Sequence, residues 1–179
     1  MERKGIITNF EDIIKSTEAI DWYEICRFQL SDEFIIKYEK YIEWYPLSQY
    51  NIFSRNIIEK YHNEIFWDEY ILRKDISLDY LLQFKEYLNW DAMVYRKDIT
   101  EEIIFDNLSS LNKEAWDTIS FHKNNFSIEF FIRNKNNINW KSFVIGKNEK
   151  RMSEYLYDNI KDVLNESQIK FINNKYNFK

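Results

Sequence analysis

The sequence predicts an all-α fold, a solenoid-like array of short helix-turn-helix repeats closed by degenerate capping repeats at both ends. Residues 66–111 state nearly the same 23-residue unit twice, FWDEYILRKDISLDYLLQFKEYL and then NWDAMVYRKDITEEIIFDNLSSL. Self-similarity at a fixed short period is the mark of a chain assembled from small stacked units. All six tryptophans, Trp22, Trp44, Trp67, Trp90, Trp116 and Trp140, fall at one position of that unit, at spacings of 22, 23, 23, 26 and 24 residues. Apolar residues recur three and four positions apart in every unit, and only Gly5, Gly146 and Pro46 interrupt helix-compatible sequence. That period belongs to helices; the period-two alternation of a half-buried strand does not occur.

Each repeat is predicted to hold two helices. Helix A opens at the tryptophan, because the residues three and four further on complete one stripe over about two turns: Ile25 and Cys26, Leu47 and Ser48, Tyr70 and Ile71, Met93 and Val94, Ile119 and Ser120, Phe143 and Val144. Asp21, Asn89 and Asn139 stand just before their tryptophans, where an N-cap belongs. Pro46 falls in a first turn, where a missing N–H costs little. Helix B follows, with Ser31, Ser54, Ser77, Thr100, Ser127 and Ser153 as expected N-caps, and with acids such as Asp32, Glu33, Asp79, Glu101 and Glu102 near its positive end. Its apolar face repeats as Phe34, Ile35, Tyr38, Ile42 and again as Tyr80, Leu81, Phe84, Leu88.

These signals divide a single domain, residues 1–179, into repeats at 21–42, 43–65, 66–88, 89–111, 112–138 and 139–164. Residues 1–20 read as an N-terminal cap built from a lone helix B, and residues 165–179 as a C-terminal cap, a helix A with Glu166 in place of tryptophan. Terminal units with a more polar outer face let a stacked array stop growing. The fifth repeat carries extra residues around 112–115 and 123–126, which predicts a bulged loop, and Asn134 to Asn139 reads as a connection within one array.

The first unit, with Trp22, Ile25, Leu30, Ser31, Glu33, Phe34, Ile35, Lys37 and Tyr38, recurs with variation as far as Leu164. It resembles the tandem helical repeats of about 23 residues found in proteins of phages and giant viruses. The resemblance implies an all-helical array in a phage or viral setting, and it brings no shared catalytic residues. Composition agrees: Ile, Asn, Lys, Tyr and Phe dominate while alanine is scarce, as an AT-rich coding sequence would dictate, which fits a low-GC bacterium, its phage or a large DNA virus.

Charge and residue choice exclude several classes of function. A net charge of −5 argues against non-specific attachment to nucleic acid or to an anionic membrane, both of which call for a basic surface. No apolar run approaches the ~18 residues of a membrane span, and the N-terminal stretch MERKGIITNFEDII lacks the apolar core of a secretory signal. Cys26 is the sole cysteine, so an internal disulfide is impossible and a reducing, cytoplasmic setting is expected. His62 and His122 sit in different repeats without metal-ligand spacing, and two glycines cannot build a phosphate-binding loop. The expectation is therefore no catalytic residue, no cofactor, no metal and no enzyme activity. The tryptophans, each heading an apolar stripe, are expected in the core rather than as stacking platforms.

One surface feature recurs. Six and seven residues after each tryptophan, at the A-to-B turn, come Phe28-Gln29, Tyr50-Asn51, Arg73-Lys74, Arg96-Lys97, His122-Lys123 and Gly146-Lys147. Stacked repeats would align these turns into a ridge, aromatic at one end and basic from the third repeat on. The candidate partner-binding residues are thus Phe28, Tyr50, Arg73, Lys74, Arg96, Lys97, His122, Lys123 and Lys147. The competing reading is that cations at the end of helix A merely complement its dipole. On the ridge reading the heads lie in solvent, so Arg73→Glu with Arg96→Glu leaves folding intact. The expected function is binding of another macromolecule, foremost a protein, for example a phage-encoded inhibitor or adaptor acting on a host defence protein such as a CRISPR-type nuclease. The alternative is single-stranded nucleic acid bound along the ridge, with Phe28 and Tyr50 stacking and Arg73, Arg96 and Lys123 on phosphates; the net negative charge counts against it.

Overall fold

The computed structural model describes residues 20–123, 125–148 and 151–178. The cap expected over residues 1–20 lies outside the described residues except for Ile20. Among the described residues the regular elements are thirteen α-helices and three 3-10 turns, with no strand. Six tryptophan-bearing helices alternate with six that open on a hydroxyl. The former are α1 (Trp22–Ile25), α3 (Trp44–Tyr50), α5 (Trp67–Ile71), α7 (Trp90–Met93), α9 (Lys113–His122) and α11 (Trp140–Ile145). The latter are α2 (Asp32–Lys37), α4 (Arg55–Tyr61), α6 (Leu78–Leu82), α8 (Glu101–Asp106), α10 (Ile128–Arg133) and α12 (Glu154–Ile160), and α13 (Glu166–Tyr176) ends the chain.

Local chemistry sets most of these boundaries. Ser31, Ser54, Ser77, Thr100, Ser127 and Ser153 each accept the N–H three residues on, satisfying one of the donors that a helix start leaves over. Asp21 and Asn139 do the same for α1 and α11. Five of the six A helices start at their tryptophan. The exception is α9, where Asn112 accepts the N–H of Ala115 and opens the helix at Lys113. The extra residues at 112–115 thus lengthen a helix instead of forming the expected loop. Asn165 and Gln168 form a reciprocal capping box on α13, which closes on Asn177 in the left-handed conformation.

Helices of four to eleven residues are shorter than the ~12–15 that an isolated helix needs in water, so packing must hold them. The chain divides into two compact units, one ending at Asn89 and the other beginning at Trp90, at the start of the fourth repeat. In the first unit α3 packs on α5, and Leu47, Ile57, Ile58, Tyr70, Ile71 and Leu81 are wholly buried. Tyr70 stacks on Phe53 at 5.0 Å and accepts its N–H, and the Tyr80 hydroxyl donates to the Phe53 carbonyl, so both polar groups of a buried residue are answered by ring hydroxyls. Burial pushes the Tyr70 hydroxyl well above the usual tyrosine range. In the second unit α9 packs on both α7 and α11, α11 on α13, and α10 on α12. Its core holds Met93, Ile104, Ile119, Phe131, Phe143 and Leu156. Trp90, Trp116 and Trp140 are buried, whereas Trp22, Trp44 and Trp67 keep part of the ring exposed.

Consecutive A helices are also tied by polar groups. The side chain four residues after the tryptophan accepts a backbone N–H from the start of the next repeat: Cys26 Sγ from Glu43, Ser48 Oγ from Phe66 and Ser120 Oγ from Asn139. Asn89, Asn112 and Asn139 each give their amide to the aspartate just after the preceding tryptophan, Asp68, Asp91 and Asp117, at 2.7–2.8 Å. Gly146 is where backbones come closest. A Cβ there would lie 2.6 Å from the Phe121 carbonyl oxygen and 2.9 Å from its Cα, so only glycine lets the end of α11 lie against the end of α9.

Candidate functional site

The A-to-B turns divide into side chains that reach inward and side chains that face solvent. Arg73 directs its guanidinium at the carbonyls of Ser48, Tyr50 and Asn51, which terminate α3, and pairs with Asp75 at 2.7 Å. Arg96 is buried and pairs with Asp98 at 2.6 Å, and this guanidinium holds the Asp98 carboxyl below the usual carboxylate range. Lys123 is buried as well and donates to the Arg96 carbonyl at 2.5 Å. Neutral residues act alike. Asn51 donates to the Cys26 and Phe28 carbonyls while accepting the Leu30 N–H, and Asn148 donates to the Ser120 carbonyl. Lys175 on α13 reaches the Val144 carbonyl at 2.7 Å.

The shared task is plain. The last carbonyls of a helix have no partner within it, and Arg73, Lys123, Asn51, Asn148 and Lys175 each bring a donor to the end of the A helix that precedes their own. Arg73 and Lys123 are therefore latches between repeats and Arg96 is buried against Asp98, which corrects the expected place of all three on an exposed ridge. Lys74, Lys97 and Lys147 are exposed, and Phe28, Tyr50 and His122 are half-buried; Arg27 lies over the Tyr50 ring at 5.2 Å.

Lys123 carries a titration that can be measured. Desolvation on burial lowers its pKa to about 8 from 10.5, outweighing the opposing pull of Asp98. The folded state then binds fewer protons than the unfolded chain between those values, so this group's contribution to stability rises with pH through that window. Relative to Lys123→Met, the wild type is expected to gain stability as pH rises from 8 to 10.5, read by urea unfolding of both proteins at each pH; a constant difference would refute it.

Solvent also meets an apolar series that the ridge reading passed over. Five residues after the tryptophan stand Leu72 in the first unit and Tyr95, Phe121 and Ile145 in the second, between 36% and 53% exposed. In the second unit the His122 ring touches both Tyr95 and Phe121, at centroid distances of 5.6 and 4.7 Å. Desolvation, then the charges of Lys147 and Lys123, lower the pKa of His122, which favours the neutral ring. At Gly146, next to Ile145, the end of α11 meets the Phe121 backbone, and the Lys147 N–H donates to the Phe121 carbonyl at 2.8 Å. The result is an apolar, aromatic face at the ends of α7, α9 and α11, flanked by the exposed Lys97 and Lys147. The sequence signal for it was the unbroken apolar choice at that position in repeats three to six, where Arg27 and Gln49 stand in the first two.

Cys26 and His62 serve packing. Cys26 is buried, and its thiol is pushed up to about 11, so it stays protonated as an N–H acceptor. His62 stacks on Tyr87 at 4.4 Å. Among the described residues no three His, Cys, Asp or Glu side chains converge as a metal site requires, and no helix is long and apolar enough to cross a membrane. Compared with protein-family models, curated proteins and solved structures, the chain finds no match.

Proposed function

We propose that this chain is a non-enzymatic protein-binding module, a solenoid-like array whose contact face is the exposed apolar series at the ends of the A helices together with the lysines beside it. The observation that carries this reading is the recurrence of Tyr95, Phe121 and Ile145 at one position of successive repeats, all substantially exposed. Aromatic and aliphatic side chains standing together in solvent mark contact surfaces, and Lys97 and Lys147 suit a partner with carboxylates around an apolar centre. The repeat resemblance and the AT-rich residue choice support a phage or viral origin, and with it an inhibitor or adaptor of a host defence protein. Binding of single-stranded nucleic acid is the weaker reading, because of the residues it would set on phosphates Arg73 and Lys123 are engaged with backbone carbonyls and Arg96 is buried against Asp98.

The test is capture from a bacterial lysate by the tagged chain, with and without nuclease, beside a Phe121→Ser/Ile145→Ser variant. A protein retained after nuclease treatment and lost by the variant is the expected result. Capture that needs nucleic acid, or that the variant retains, overturns the reading.

A further inference from the structure

The first unit holds a groove of different character. It is open on one side, has a volume of about 480 Å³, and lies over the start of α5. Tyr45 and Phe66, 40% and 49% exposed, meet edge to face at 5.3 Å in its lining. Trp67 and Tyr87, also in the lining, stack at 6.1 Å with their rings 26° apart. Asp68 and Glu69 complete the polar part of the lining. Each carboxylate is steadied by an amide through one oxygen: Asp68 accepts from Asn89 at 2.7 Å, and Glu69 from Gln49 at 3.0 Å, whose nitrogen also reaches the Tyr45 hydroxyl. No Lys or Arg lines the groove, and neither carboxylate has an ion-pair partner among the described residues.

We infer that this groove is a recognition site for an arginine side chain presented by a protein partner. Aromatic faces attract a cation through their quadrupole, and a guanidinium is the cation whose flat shape stacks on them. Its fork of N–H donors fits the second oxygens of carboxylates already oriented by amides. The openness selects the source: small-molecule pockets enclose most of their ligand's surface, whereas a groove open along one side admits a side chain from a segment passing over it. The site is built from residues 45–89 and does not depend on the role proposed for the face on residues 95–147.

The probe is the peptide acetyl-Gly-Arg-Gly-amide, titrated into the full chain labelled with nitrogen-15, beside the same peptide carrying citrulline, which keeps the shape of arginine without its charge. The expected result is saturable shifts confined to the Trp67 indole and the Phe66–Glu69 amides with the arginine peptide, and none with citrulline. In Asp68→Asn/Glu69→Gln, which keeps an acceptor oxygen for Asn89 and for Gln49, affinity falls about tenfold or more, as loss of charge-assisted hydrogen bonds implies. Equal shifts from citrulline, shifts located elsewhere, no shift at all, or unchanged affinity in the variant would each overturn the proposal. The citrulline arm needs no variant, so the result stands even if the double substitution unfolds the chain.

Discussion

Trp140→Ala is expected to lower the stability of the chain by about 3–5 kcal/mol, the usual range for truncating a buried large aromatic. Only 2% of Trp140 is exposed. Its ring lies tilted against Phe143 at 5.2 Å, and Phe143 in turn meets Phe131 at 4.9 Å, so one truncation opens a void against an aromatic chain that joins helix A to helix B of its neighbour. The indole N–H donates to the Lys135 carbonyl at 3.0 Å, and that acceptor loses its partner as well. Lys141→Ala, one residue on and exposed, should stay within about 0.5 kcal/mol. Urea unfolding of the two variants measures the difference directly. Equal losses would mean that the two faces of α11 have been assigned the wrong way round.

What could be read without coordinates was whatever depends on near neighbours in sequence. A serine or threonine ahead of an acid-rich turn caps its helix whatever lies beyond, and Ser31, Ser77, Thr100 and Ser153 all cap. Tryptophan with its partners three and four residues on defines one face, and helices start at Trp22, Trp44, Trp67, Trp90 and Trp140. The start of α9 went astray because an added segment looks like a loop until Asn112 is seen to cap it. The turn cations went astray for a different reason. Periodicity gives the position of a side chain within its repeat, but not whether the repeat before it leaves carbonyls in need of a donor. Asn51 and Asn148 held the clue, since a neutral amide at the same turn does the work of an arginine. The aspartates two residues after Arg73 and Arg96 held another, because they pin the guanidinium from behind. The exposed series Tyr95, Phe121 and Ile145 was hidden for the opposite reason: an apolar residue beside a buried stripe reads as part of that stripe.

Arg96→Glu is expected to destabilise the fold by about 3–5 kcal/mol, the range for a charge left buried without compensation, where a ridge in solvent predicts no change. Only 6% of the Arg96 side chain is exposed, whereas half of its partner Asp98 is in water. Repulsion between two carboxylates is therefore the smaller part of the cost, because Asp98 can turn outward. The larger part is a carboxylate buried where a guanidinium donated. Arg73→Glu tests the same logic in the first unit, since its carboxylate would face the carbonyl oxygens of Ser48, Tyr50 and Asn51. Arg96→Met separates the two contributions by keeping an apolar stem without either charge, and it should lose less than Arg96→Glu. The losses should also change little between low and high salt, since buried groups are poorly screened. Thermal and urea unfolding of the single variants decides the matter. If both reversals fold like wild type, the guanidinium heads lie in solvent and the A-to-B turns are again the surface that a partner meets.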